Sequence, residues 1–184
     1  MVSRVRHGSD RFKQELIGRP IADQIYKDVL GTGISIVRDV DPYLDQRLGV
    51  DAVLILGNGM RLLGQEKFLS HEYASFRSLT VEHYQNPRTK EKGDWFKLAC
   101  QFYFVGYLTE DETSFSPWVL ANWLNVVLGT LAGDVRWIDN RNQDGRARAS
   151  FRYTRMGDLP DSCVIAKGGE DETQDARTNT GATQ

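Results

Sequence analysis

The sequence is poor in cysteine: of its 184 residues only Cys100 and Cys163 are cysteines, and neither stands in a Cys-x-x-Cys or Cys/His spacing. That pattern argues against both a disulfide framework and a structural zinc site. Charge of one sign is not in excess either, with 23 Lys and Arg against 25 Asp and Glu, a formal net charge of -2 and a pI near 5.9. A chain without a global basic field does not coat nucleic acid nonspecifically, so any phosphate contact has to come from a local patch. Long apolar runs are lacking as well. The most apolar window, WVLANWLNVVLGTLAG from Trp118, is short for a membrane span and contains Asn122 and Asn125, so it reads as a buried helix and no membrane association is expected. The N-terminal MVSRVRHGSDRFKQE has no apolar core of a signal peptide, which makes a reducing cytoplasm the expected location. No internal repeat is visible.

What is present is the composition of a globular domain, 40% hydrophobic and 26% charged. The length suits one domain with a real core, expected over residues 1–166. From Lys167 onward, GGEDETQDARTNTGATQ holds no large apolar residue, so residues 167–184 are expected to be a disordered tail. Residues 9–30 read as helix in two pieces, because Pro20 interrupts a continuous run but suits the first position of a second helix. Ile21, Ile25 and Val29 then form its buried stripe. A strand is expected in TGISIVRDV (32–40), a loop in DPYLDQRLG, a further hairpin-side strand in SLTVEHY (78–84) and a polar loop at 86–94. WFKLACQFYFVGYL (95–108) reads either as a helix running into a strand or as one buried element. A helix is predicted from Ser116-Pro117 to about Leu131, with Ser116 as its cap. Late strands are expected in ARASFRYTRM and DSCVIAK.

The chemistry concentrates in VDAVLILGNGMRLLGQEKF, residues 50–68. Two apolar runs separated by Gly57-Asn58-Gly59 are a hairpin signal, since Asn-Gly tolerates the positive φ of a tight turn. Side chains alternate along a strand, so Gln65 and Lys67 point one way and Glu66 the other. The turn folds Asp51, at the start of the first strand, back toward the 65–67 end of the second. A carboxylate, an amide oxygen and a lysine thus converge at one end of an apolar hairpin, a donor set suited to a hard divalent cation and a polarised water. Glu66 is expected to make an ion pair on the opposite face.

Asp51 followed by Gln65-Glu66-Lys67 on a hairpin, behind an N-terminal helix and preceded by the D-x-x-x-G-x-D lead-in of Asp45 to Asp51, resembles the PD-(D/E)XK nuclease superfamily in a variant where Gln replaces the usual acidic residue. The resemblance covers roughly residues 10–110. It implies an α/β fold with a restriction endonuclease-like core, a central mixed β-sheet with helices on its faces. It also implies hydrolysis of phosphodiester bonds in DNA with Mg²⁺ or Mn²⁺. Carried over residue by residue, Asp51 is the principal metal ligand, Gln65 the second through its side-chain oxygen and the backbone carbonyl of Glu66 the third. Lys67 is the catalytic lysine, and Glu15, ahead of Asp23, is the carboxylate added from the first helix. The neutral Gln65 leaves such a site one negative charge short, for which Glu82 on the next predicted strand is a compensating candidate.

Basic residues cluster in two places. RWIDNRNQDGRARASFRYTR, residues 136–155, holds six arginines, Arg136, Arg141, Arg146, Arg148, Arg152 and Arg155, against Asp139 and Asp144, a local net charge of +4. Arg88, Lys90 and Lys92 form a second spot. Both suit contacts to phosphates, which position a duplex without reading its sequence. His71 and His83 lack a Ser or Cys partner pattern and read as surface or stacking residues, and Trp95, beside the polar loop, is the one aromatic set apart from the expected core. Two rival functions share this sequence: a nuclease-like nucleic-acid-binding module without chemistry, and a protein-interaction subunit, with a homodimer as one form, using the aromatic segment 118–131 as its interface.

Overall fold

The computed structural model describes residues 6–38, 40–140 and 149–169, with residues 6–11 and Pro42 described by backbone alone. In chain order the elements are α1 (Arg6–Leu30), β1 (Ser35–Val37), α2 (Pro42–Leu48), β2 (Ala52–Ile55), β3 (Arg61–Leu69), β4 (Ser78–Asn86), β5 (Glu91–Lys92), β6 (Phe102–Leu108), β7 (Phe115–Asn122), α3 (Trp123–Ala132), β8 (Ile138–Asn140), β9 (Ser150–Arg155) and β10 (Val164–Gly168). The result is a mixed α/β architecture. A six-stranded sheet has the order β1-β2-β3-β6-β7-β10, and a four-stranded one the order β5-β4-β9-β8. Within the larger sheet only β3 and β6 run parallel, so the chain must leave the sheet between them and return. That excursion, residues 70–101, carries β4 and β5 to the second sheet.

The larger sheet has a different cover on each face. On one, α1 lies against Phe68, Phe102, Phe104 and Phe115, with Ala22 and Tyr26 fully buried and Ile17, Ile21, Ile25 and Val29 half-buried beside them. The buried line is therefore centred on Ala22 and Tyr26, one position away from the expected stripe. Nor does the helix break at Pro20, which lies inside a single helix. Proline removes one intrahelical bond, but Gly18 sits against Phe68 and Phe115 before it and Tyr26 packs edge-on to Phe102 and Phe104 after it. Burial on both sides of Pro20 holds the two halves on one sheet face.

The other face meets α3 and, beyond the expected helices, the second sheet. Leu79 and Val81 of β4 are buried with Tyr103, Val105 and Tyr107 of β6 and Trp123 and Val126 of α3. Two phenols pin the layers together: Tyr107 donates to the Ser78 carbonyl at 2.9 Å, and Tyr103 donates to the Thr80 carbonyl at 2.9 Å. The strand expected beside the hairpin, β4, thus belongs to the second sheet, paired with β9.

Two further expectations change. Residues 115–122 are strand, with buried residues on both sides; a run as apolar as residues 117–121 carries no period that separates helix from strand. The helix starts only at Trp123, where the Asn122 side chain accepts from the Asn125 N–H at 3.2 Å, so Asn122 and not Ser116 is the cap. The supposed loop at 41–49 is α2. Asp41 caps it by accepting from the Tyr43 N–H, Pro42 opens it, and Gly49 closes it in the left-handed region at φ 59°. At the C-terminus, Lys167 and Gly168 belong to β10, and the remainder of the expected tail, residues 170–184, lies outside the described residues. No helix among the described residues is long and apolar enough to cross a membrane.

Candidate active site

The β2–β3 hairpin forms in the expected register, Ala52 opposite Gly64 and Ile55 opposite Arg61. Gly64 has no room for a side chain, because a Cβ there would lie 1.8 Å from the Phe102 ring. Beyond Gly64 the alternation sends the three polar side chains to two faces. Glu66 turns toward α1, where it accepts two bonds from the Arg38 guanidinium, at 2.7 and 2.9 Å, and one from the Tyr26 hydroxyl at 2.9 Å. Arg38 also meets Asp23 at 2.6 Å. Burial and the Glu66 carboxylate push the Tyr26 phenol well above its ordinary pKa. Glu66 is thus a structural anchor whose side chain is committed away from the site, as its strand position implies.

Gln65 and Lys67 turn to the opposite face, between the sheets. The Gln65 carboxamide donates its N–H to Asp51 Oδ2 in a short contact, and the Glu66 backbone N–H reaches the same oxygen at 3.4 Å. An ionised carboxylate only accepts, so it fixes which end of the amide faces it. The other end, Gln65 Oε1, is buried with no hydrogen-bond partner, in a residue only 8% exposed. It lies beside Gly49: a Cβ on that glycine would approach Oε1 to 3.4 Å and Leu98 to 2.9 Å.

Asp51 and Gln65 line a cavity of about 450 Å³ together with Asp45, Gly49, Glu82, Gln85, Asp94 and Lys97. Four carboxylates therefore face one polar cavity, and the lysine is shared, with Lys97 Nζ 3.0 Å from Asp94 and donating to the Gln46 carbonyl at 3.2 Å. The negative field reaches neighbouring groups. Burial, aided by the Asp51 charge, pushes the Cys100 thiol up to about 12. The Tyr103 hydroxyl is raised by burial first and then by Asp94, Cys100 and Asp51. A cavity of this charge favours a cation, and a buried carbonyl oxygen without a donor is a ligand of the kind hard cations take. Among the described residues no group of three or more His, Cys, Asp or Glu side chains is placed to hold a metal ion. The Asp51 carboxylate and the Gln65 side-chain oxygen are donors of the chemical type that hard cations such as Mg²⁺ take.

No family model, curated protein or solved structure matches the chain. The site therefore rests on its own geometry.

Lys67 shares the face of Gln65 but does not line the cavity. Its amine donates to the Thr80 carbonyl at 3.3 Å and lies 5.1 Å from the centre of the Phe151 ring. Glu15 stays on α1, on the Glu66 side of the sheet, where it accepts from Arg19 at 3.4 Å. Asp23 is taken by Arg38. The helix-borne carboxylate that the resemblance implies is thus not among those lining the cavity, whereas Glu82 of β4 is. Asp94, Gln85 and Lys97 were not singled out in the sequence, and Asp45 entered only as part of the lead-in. The Asp-Pro start and Gly49 stop of α2 were the signal for Asp45, since a short helix ending in a left-handed turn brings Asp45 and Asp51 to one wall.

The hairpin whose base supplies Glu82, Gln85 and Asp94 carries the smaller basic spot. Asn86 Oδ1 accepts from the Arg88 and Thr89 N–H groups, which shapes a turn that leaves Arg88, Lys90 and Lys92 exposed. Next to it the Phe96 ring, 43% exposed, stacks on His83 at 5.1 Å, and Lys92 Nζ lies 5.5 Å from its centre. Burial, then the Arg152 charge, lowers the His83 pKa from its ordinary 6.5, so this imidazole is a neutral stacking partner at pH 7. In the arginine-rich segment, Arg141, Arg146 and Arg148 lie outside the described residues. Arg152 is held by Asp139 at 2.6 Å and lies 4.7 Å from the Trp95 ring, so its charge serves the second sheet first. Trp95 itself packs against Trp123 and Trp137, an extension of the core.

Proposed function

We propose that the chain is a divalent-metal-dependent nuclease acting on DNA, built on a restriction endonuclease-like core in which Gln65 stands for the usual acidic ligand. The observation that carries this reading is that Asp51 and Gln65 line one carboxylate-rich cavity, with the Gln65 Oε1 beside Gly49 buried and without a hydrogen-bond partner. The order α1, β1, α2, β2, β3, with β6 parallel to β3, supports the core.

Asp51, Gln65 Oε1 and the Glu66 carbonyl would hold the cation, with Glu82 supplying the charge that Gln65 lacks. When bound, Mg²⁺ supplies Lewis-acid polarisation of a phosphoryl oxygen and a water of lowered pKa. The protein's own groups do the rest. Asp51 fixes the hairpin end by accepting from both Gln65 and the Glu66 backbone, so the ligand oxygens are held by the sheet rather than by a loop. Lys67, held on the Thr80 carbonyl outside the cavity lining, would add a positive charge along the same strand face as Gln65. Arg88, Lys90 and Lys92 hold the phosphate backbone at the hairpin tip.

With Mg²⁺ or Mn²⁺ the protein is expected to cleave DNA, and EDTA is expected to stop it. Plasmid, linear duplex and single-stranded oligonucleotide assays read this out together. Salt-dependent DNA binding without cleavage in any metal would replace this reading with the binding module.

A further inference from the structure

On α3, Trp123 and Val126 face the core while Leu124, Val127, Leu128 and Leu131 are 59%, 37%, 53% and 81% exposed. The spacing i, i+3, i+4, i+7 puts all four on one side of the helix. A contiguous apolar stripe rising to such exposure marks an interaction surface. We propose that this stripe is the contact through which two copies of the chain pair about a two-fold axis.

Several observations select a second copy as the occupant. The segments outside the described residues offer little apolar surface: RNQDGRAR (141–148) and EDETQDARTNTGATQ (170–184) contain no large apolar side chain, and residues 1–5 only Met1, Val2 and Val5. The α3 sequence, WLNVVLGTLA, contains no charged residue. A helix that lies on a lipid surface pairs its apolar side with Lys and Arg, which α3 lacks, and a charged peptide partner finds no complement on it. An identical neutral stripe meets no like-charge repulsion, and a net charge of -2 per copy adds little at long range.

Shape points the same way. Beside the stripe runs a groove of about 630 Å³ walled by Leu128, Gly129, Ala132 and Pro160, with Asp134 its one charged lining residue. Protruding leucines next to a small-residue groove on the same surface are self-complementary under a two-fold rotation, which seats the leucines of each copy in the groove of the other. One helix of 10 residues with a flanking groove belongs to interfaces below roughly 1,200 Å² in total, the transient class. The dimer is therefore concentration-dependent. It stands independently of the cavity chemistry.

The test is sedimentation velocity over about a hundredfold range of protein concentration. The parent is expected to shift from monomer to dimer within that range. Leu128 lies near the middle of the stripe, next to the axis, and is half exposed, so Leu128→Glu and Leu128→Lys are expected to fold as the parent does by circular dichroism. Each alone is expected to weaken association by about tenfold or more, and an equimolar mixture of the two to recover it, because opposite charges then meet across the axis. A parent that stays monomeric throughout, variants that dimerise as the parent does, or a mixture no better than either variant alone would each overturn the proposal.

Discussion

Under the proposed nuclease function, Asp51→Ala is expected to lower Mg²⁺-dependent DNA cleavage by on the order of 10³-fold or more, the loss that follows when several kcal/mol of metal-derived transition-state stabilisation disappear. Folding survives. The substitution takes the acceptor from two donors, the Gln65 N–H and, at 3.4 Å, the Glu66 backbone N–H, at a cost of about 1–3 kcal/mol for a stranded donor, and it relieves repulsion in a cavity facing Asp45, Glu82 and Asp94. Circular dichroism and thermal melting separate the two effects. Gln65→Glu moves in the opposite direction. It sets a second carboxylate against Asp51, so in EDTA the variant melts below the parent. Added Mn²⁺ then raises its melting temperature by more than it raises the parent's, because ligand binding to the folded state alone adds stability.

Glu66→Ala has the larger effect on stability. The carboxylate, 4% exposed, is held by Arg38, whose side chain is 11% exposed. Removing it leaves the guanidinium with the Asp23 carboxylate and a long bond to the Arg19 carbonyl, and strands the Tyr26 hydroxyl; breaking a buried pair by deleting one partner costs about 3–5 kcal/mol. For a chain of this size that lowers Tm by roughly 10 °C. Replacing both partners by apolar residues, as in Arg38→Met with Glu66→Leu, is expected to recover most of the loss, since an apolar pair of similar volume carries no desolvation penalty. Cleavage by the folded fraction at low temperature is expected to persist, because the Glu66 side chain lies on the far face from the cavity. Adjacent residues of one strand thus separate: Gln65 serves the site and Glu66 the fold.

That separation was legible in the sequence because strand alternation is strict and the Asn-Gly turn sets the register. The hairpin, the opposed faces of Glu66 and Gln65, and the stacking role of His83 all follow from local rules. Less legible was everything that depends on which elements meet. Pro20 reads as a break until Gly18 and Tyr26 are seen against the same aromatic layer. SLTVEHY reads as a neighbour of the hairpin, yet β6 takes that place in parallel, and β4 instead carries Glu82 across the gap between the sheets. Glu15 was expected at the site because it lies on the first helix, but the sheet separates that helix from the cavity. The run from Ser116 was misread because an element buried on both faces has no polar side to reveal its period.

The central claim is that Asp51 and Gln65 share one divalent cation in the cavity that Glu82 helps to line. Anomalous scattering from crystals grown with Mn²⁺ measures this directly. The account predicts a single strong peak within coordinating distance of an Asp51 oxygen and Gln65 Oε1, absent from crystals of Asp51→Ala. A cavity without a peak at Mn²⁺ concentrations that support cleavage, or a peak bound elsewhere on the molecule, would contradict it.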